Sequence, residues 1–380
     1  MRKNILQKIL YILPHSIEPY KLNLEDFSLY DAYPHIYCKI ARQQGYIPAL
    51  SYLSLSVKKR LRHKHKYGHL LIAYPVTFNR GYFGYEISNE LLSDVVRCDY
   101  DIIHVHSYYL LMYDFLALAK KLNNKPLIAH YHGGDPSMLL FPLKILKRIT
   151  LHLADKIITV NKAERQRLIK YWKLPHEKVA YLPNGVDTNL FKPRSDVEKE
   201  DNVVLFVGNL ILGKGLESLI PAFVKCKQHI KDLKLWIVGD GYLRPKLEEK
   251  VKVLGLSEDI KFLGRIKHEQ LSYIYNRASV TVLPSRKEGF PLVLVESMAC
   301  GTPTISTFNE GSVDIISDGV DGLLVPQNNI EALSRAICKI ILNVDLRNKM
   351  GENARKKVVE HFSWEKIGKH LNMLYKSLCI

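Results

Sequence analysis

Two carboxylates, Glu288 and Glu296, stand with seven residues between them in RKEGFPLVLVESMACGTPTIST (286–307). A carboxylate accepts hydrogen bonds from two adjacent hydroxyls, as on a sugar ring or a ribose. Between the two, Pro291 is a favoured first residue for a helix. A helix start offers unpaired backbone N–H groups and the positive end of a dipole, which suits phosphate. The run therefore reads as a clamp for sugar, phosphate and ribose, with a plain solvated helix residue as the other reading of Glu296. In VGNLILGKG (207–215), Lys214 stands at a glycine-bounded turn between strand and helix, where a point charge meets either phosphate or water. This turn is neither a Walker A loop nor the GxGxxG dinucleotide fingerprint. In HYHGGD (130–135), His132 precedes two glycines at a strand end and faces either a cleft or solvent. His104 and His106 alternate along DIIHVHS (101–107) with no carboxylate or Cys at ligand spacing, so they read as strand-face packing. Asp99 and Asp101 form a DxD triplet, but at the start of a strand, the wrong end for a metal–diphosphate site.

These residues need elements to hold them. In the second half, strands are expected at 202–209, 233–241, 259–266, 279–285 and 302–308, and helices at 214–229, 243–254, 268–278 and about 291–300. Strand and helix alternation with short links predicts a parallel sheet covered on both faces. The first half repeats the scheme with strands at 101–107, 125–134, 155–161 and 178–185. The opening MRKNILQKILYILPHS reads as a first strand and not a leader, because Gln7 and Lys8 interrupt its apolar stretch. LPNGVDTNLFKPRSDVEKED (182–201) carries Pro, Gly and Asp punctuation and then an apolar-poor run, which marks a domain boundary. The expected architecture is α/β: two Rossmann-like, doubly wound domains facing a cleft, with ligands beyond the carboxyl ends of the strands.

Length fits two domains: 380 residues, 47% hydrophobic and 24% charged, values for a packed chain and not a disordered one. Six scattered cysteines with no CxxC pair argue against a disulfide framework or a structural zinc site and fit a reducing compartment. No apolar run is long enough to span a bilayer. The net charge is +17, and residues 1–192 carry +13 of it. That half should attract an anionic partner. Its densest stretch, KKRLRHKHK (58–66), contains Lys58, Lys59, Arg60, Arg62, Lys64 and Lys66; a second, FPLKILKRIT (141–150), interleaves Lys144, Lys147 and Arg148 with apolar residues. Both read as a membrane-facing patch or as a solvated charged face. No nucleic-acid-binding motif accompanies the charge.

Taken together, the motifs resemble those of the family 4 (group 1) glycosyltransferases, retaining enzymes of the GT-B fold. The resemblance covers nearly the whole chain and is strongest from Tyr181 to Pro326. EGFPLVLVESMACGTPTIST resembles that family's Glu-(seven residues)-Glu signature, LPNGVDTNLFKP its hinge, and VGNLILGKGLESLI its phosphate-binding turn. IVGDG, IKFLGRI and GSVDIISDGVDGLLVP follow in the expected order. The resemblance implies that Glu288 contacts hydroxyls of the transferred sugar, that Glu296 holds the ribose and that Lys214 neutralises the diphosphate. Gly289, Phe290, Pro291, Leu292 and Val293 would frame sugar and phosphate, Gly264, Arg265 and Ile266 would border the base, and His132 would lie near the reacting centre. It implies a nucleotide-diphosphate sugar as donor, no cofactor and no metal. Two departures stand out. Asn209 occupies the place of the family's arginine, leaving Arg265 or Arg286 to supply that charge. The glycine-rich loop after the first strand is replaced by LPHSIEPYKLNLEDFSLY (13–30).

The expected domains are 1–190 with a returning helix at 362–380, and 191–361. The expected function is retaining sugar transfer to a lipid-linked or glycan acceptor in cell-surface glycan or glycolipid synthesis. The expected location is the cytoplasm, peripheral on the inner face of the cell membrane. A nucleotide-sugar epimerase of the same fold would need an acid/base pattern that is not found. A catalytically lapsed sugar-nucleotide or membrane binder remains compatible with Asn209.

Overall fold

A computed structural model describes residues 6–18, 25, 27, 33–79, 84–97, 99–132 and 141–378. Most of the altered first loop, and Gly133, Gly134 and Asp135 of HYHGGD, lie outside the described residues. In the first unit β1 (Lys8–Ser16) is buried from Ile9 onward, which fits a central strand sealed on both faces. It pairs in parallel with β2 (Ile47–Ser54), which pairs in parallel with β4 (Leu70–Pro75). In sequence between these two comes β3 (Leu61–Lys64), the only antiparallel member described, which lies at the sheet edge beside β4. On the other side of β1 follow β5 (Ile102–His106), β6 (Leu127–His130), β7 (Lys156–Thr159) and β8 (Val179–Tyr181), all parallel. The four strands expected from 101 onward are present. The sequence reading did not find β2, β3 and β4.

The basic run 58–66 is therefore in part an edge strand. Lys58, Lys59, Arg60, Arg62, Lys64 and Lys66 are all exposed. Arg60 is ion-paired with Asp94, and its backbone N–H donates to Glu90 Oε2 at 3.1 Å. Lys66 lies over the Tyr67 ring. Cationic side chains on an edge also keep it from pairing with another chain. The second basic stretch needs correction. It is the helix Phe141–Leu153, and Lys147 is not on a solvated face. Lys147 is 1% exposed, with Nζ 2.7 Å from Asp114 Oδ2, and it also donates to the Tyr108 carbonyl. Burial lowers the Lys147 ammonium and raises the Asp114 carboxyl from their usual ranges. Breaking such a pair would leave a buried charge, at a cost of about 3–5 kcal/mol.

The second unit has six parallel strands: β9 (Val203–Val207), β10 (Lys234–Val238), β11 (Ile260–Gly264), β12 (Val280–Leu283), β13 (Thr304–Thr307) and β14 (Gly322–Val325). Their order is β11-β10-β9-β12-β13-β14. β9, VVLFV, is buried at every position, and each such side chain contributes about 1.5–3 kcal/mol on leaving water. Because β9 is followed on one side by β10 and on the other by β12, the winding reverses between β9 and β12. That crevice, at the carboxyl ends, is where doubly wound sheets hold ligands.

By contact density the chain divides into Met1–Leu182 with Gly368–Ile380, and Pro183–Ile367. The last helix, Trp364–Lys376, ends among first-unit side chains. Tyr375 Oη lies 2.8 Å from both Tyr11 Oη and His104 Nδ1, and Tyr46 Oη donates to Asn372 at 2.8 Å.

Candidate functional site

The turn after β9 and the loop after β12 are drawn together by backbone. Gly215 opens the helix Leu216–Lys227 at φ 81°, and a Cβ there would lie 2.1 Å from the Pro284 carbonyl oxygen. Only glycine allows that approach. Arg286 N–H then donates to the Gly213 carbonyl at 2.8 Å. The outcome is that Lys214 Nζ lies 2.7 Å from Glu288 Oε1, the two side chains being 25% and 13% exposed. From the other side, Gly311 N–H donates to the Glu288 carbonyl at 3.0 Å. A Cβ on Gly311 would meet Pro291 Cδ at 2.7 Å, so this contact fixes the backbone on both sides of Gly289 and Phe290.

The following helix spans Leu292–Ala299, with Pro291 at its N-cap and no capping side chain. The first N–H groups of a helix have no intrahelical partner, so those of Leu292 and Val293 stay available to an acceptor. Ser297 Oγ donates to Thr281 Oγ1 at 2.8 Å and holds this helix on β12. Glu296 is 5% exposed, which overturns the solvated reading. Its Oε1 lies 2.9 Å from His268 Nε2, and its Oε2 accepts from Tyr275 Oη at 2.9 Å. Burial, then the Glu296 charge, push the Tyr275 phenol well above its ordinary range, so it stays a donor. A carboxylate has about four lone-pair sites, so two hydrogen bonds leave room for hydroxyls. Sequence reasoning places His268 and Tyr275 only as parts of a helix. Their spacing of seven, two turns along one face, was the available signal.

The remaining residues divide by strand. Asn209 is exposed beyond β9, and its carbonyl accepts from Ile211 N–H. Gly264 ends β11, where its carbonyl accepts from Gly239 N–H at 2.7 Å; Arg265 is exposed and Ile266 half-buried. Of the two arginines considered as replacements for the missing charge, Arg286 pairs with Glu217 at 3.2 Å. The structure brings Lys214, Glu288 and the 289–296 segment together around β9 and β12, with 264–266 two strands away.

In the first unit, His132 follows β6 and is half-buried. Its Nε2 lies 2.7 Å from His106 Nδ1. His106 faces His130 in the β5–β6 register, and His104 Nε2 lies 3.1 Å from His130 Nδ1. Four imidazoles from β5, β6 and the turn after β6 thus cluster, with ring centroids 4.1–5.4 Å apart, all these pairs stacked except the tilted His130–His132. Burial pushes His132 down to about 3, so it is neutral near pH 7 and can exchange hydrogen bonds without carrying charge. Asp99 pairs with Lys8, and Asp101 accepts from Lys8 N–H at 2.8 Å, which ties β5 to β1 at their amino ends.

Comparison with known proteins places these residues in a family context. Residues 187–357 match the family described as glycosyl transferases group 1, and residues 49–190 match glycosyltransferase family 4. An uncharacterized glycosyltransferase of Methanocaldococcus jannaschii is 34% identical over 280 residues, covering 72% of this chain and 75% of that protein. Among solved structures, sucrose-phosphate synthase of Thermosynechococcus elongatus superposes with a TM-score of 0.76 at 23% identity, over 98% of this chain and 99% of the other. The HepE protein of Anabaena, solved in complex with UDP, superposes at 0.78 with 18% identity, over 98% and 100%.

Proposed function

The chain belongs to the group 1, family 4 glycosyltransferases, and from that membership we propose that it moves a sugar, with retention, from a nucleoside-diphosphate donor to an acceptor hydroxyl. The observation that carries this reading is the Lys214–Glu288 ion pair at the point where the second sheet reverses its winding. Lys214 would meet the departing diphosphate together with the N–H groups at the start of Leu292–Ala299. Charge aimed at a leaving group in a dry site supplies most of the help such a reaction needs. Glu288 would bind the sugar hydroxyls and Glu296, oriented by His268 and Tyr275, the ribose. Gly289 to Val293 would frame sugar and phosphate, and Gly264 to Ile266, with Asn209, would border base and phosphate. UDP on HepE makes uridine nucleotides the first donors to try. A thermal-shift screen of the full chain with UDP-, GDP- and ADP-sugars tests donor use, because a ligand bound to the folded state raises the melting temperature by mass action. One nucleotide class should stabilise the protein; no shift with any of them would contradict the reading.

His132 is assigned to the reacting centre on the acceptor side. Its described contacts are to first-unit residues, whereas the nucleotide residues all belong to the second unit. His132→Ala is therefore expected to lower transfer much more than nucleotide affinity. Kinetics and calorimetry on the same variant check this. Equal losses in both would remove the division of labour.

The acceptor we propose is lipid-linked, reached from the cytoplasmic face of a membrane in cell-surface glycan synthesis. Supporting this are the six exposed cations of 58–66 and the half-exposed Ile145 and Ile149, one helical turn apart beside exposed Arg148. Among the described residues no helix is long and apolar enough to cross a membrane. Each Lys or Arg close to an anionic surface contributes about 1 kcal/mol. Co-sedimentation should show binding to anionic but not neutral liposomes, weakening with salt as charges beyond about 8 Å are screened. Replacing Lys58, Lys59, Arg60, Arg62, Lys64 and Lys66 by Gln should remove it. Unchanged binding in that variant would leave the six charges as protectors of a sheet edge.

A further inference from the structure

The helix Tyr33–Gln43 and the turn between β3 and β4 bring three histidines together, none of them used by the transfer reading. His35 lies in the first turn of the helix, and His65 and His69 bracket the turn HKYGH. They are 0%, 3% and 2% exposed. One nitrogen from each ring lies within 4.8 Å of the others. His35 Nδ1 and His69 Nε2 are 3.1 Å apart. Two imidazole nitrogens at that distance share either one proton or one metal. Zinc–nitrogen bonds of about 2.0–2.1 Å in a tetrahedron put ligand nitrogens about 3.3–3.4 Å apart. The far-side nitrogens, His35 Nε2 and His69 Nδ1, would carry the proton of each neutral ring when the near ones ligate.

From this geometry we propose that His35, His65 and His69 form a binding site for one divalent first-row transition metal, of the imidazole-preferring class that includes Zn²⁺ and Co²⁺. The shared proton shifts to the far nitrogen of its own ring as the metal takes both near nitrogens, and an open coordination position falls to water or an exogenous ligand. The other buried histidine cluster, His104, His106 and His130, is a poorer candidate. Both nitrogens of His104 are engaged, by Tyr375 and by His130. The site would tie the β3–β4 edge to the helix beside it, a stabilising role separate from catalysis.

The test is titration of the chelator-treated full chain with Co²⁺, followed by its visible ligand-field absorption, and then displacement by Zn²⁺. The expected result is one equivalent bound, a tetrahedral-type spectrum bleached by Zn²⁺, and a higher melting temperature with Zn²⁺. His65→Ala and His69→Ala should weaken Co²⁺ binding by more than about 100-fold, since loss of an outer-shell partner alone costs roughly 10–100-fold. His69→Gln, closer in volume, repeats the test if the alanine variants do not fold, and circular dichroism of the metal-free forms reports which do. His130→Ala should bind as the parent does. Absence of a Co²⁺ spectrum in the parent protein would overturn the site and leave a packed aromatic cluster. So would undiminished binding in the folded His65 and His69 variants, or binding lost only in His130→Ala.

Discussion

Glu288→Ala is expected to abolish sugar transfer, by at least about 100-fold in kcat, while the fold is kept and nucleoside diphosphate binds no more weakly than before. The fold should survive because the Glu288 side chain sits on a loop and its described partner is Lys214. The loop itself is held by backbone, through Gly311 N–H on the Glu288 carbonyl and Arg286 N–H on the Gly213 carbonyl. Affinity should survive, or rise, because Lys214 loses a competing carboxylate 2.7 Å away. Turnover assays, thermal melts and nucleotide calorimetry on one preparation check all three parts. Near-parental turnover would take Glu288 out of the site. Retained turnover together with lost stability would make the ion pair a structural one.

Lys214→Ala should act in the opposite sense on the nucleotide. Removing one charge-assisted contact to phosphate costs about 1.5–3 kcal/mol, or roughly 10–150-fold in affinity. Transfer should fall at least as far, because the contact strengthens as the leaving diphosphate gathers charge. Nucleoside diphosphate affinity, measured by calorimetry in parent and variant, is the readout. Equal affinities would make Lys214 an ordinary partner of Glu288. The two variants together separate the roles: one loses chemistry and keeps the nucleotide, the other loses both.

The second sheet was the more legible of the two for a physical reason. Parallel strands covered on both faces are continuous β-branched runs, so VVLFV, KLWIV and VTVL announce themselves. The glycines at 208, 213 and 215 and Pro291 likewise mark the turns that hold Lys214 and Glu288. The strand β3, LRHK, carries three basic side chains out of four, because an edge is stabilised by its neighbour's hydrogen bonds and not by its own burial. Composition then reads it as a charged surface, which is only part of its role. Lys147 escapes a sequence reading for the converse reason. Its partner Asp114 lies 33 residues away on another helix, and no local pattern announces a buried ion pair. The histidine stack depends on the register that sets His106 opposite His130, and the Glu296 network on the helix His268–Arg277 lying beside Leu292–Ala299. Such juxtapositions belong to tertiary structure, which spacing along one segment does not encode.

The most direct measurement of the central claim follows both products of the full chain given the sugar nucleotide that stabilises it best. One is nucleoside diphosphate released; the other is sugar covalently gained by a hydroxyl acceptor, such as an extract of polyprenyl- or glycerol-linked lipid. The account predicts the two in equal amounts, with the α or β configuration of the donor kept in the product, and neither formed by Glu288→Ala. Tight binding of the sugar nucleotide with no diphosphate released, or its conversion to an epimer with no acceptor consumed, would contradict it.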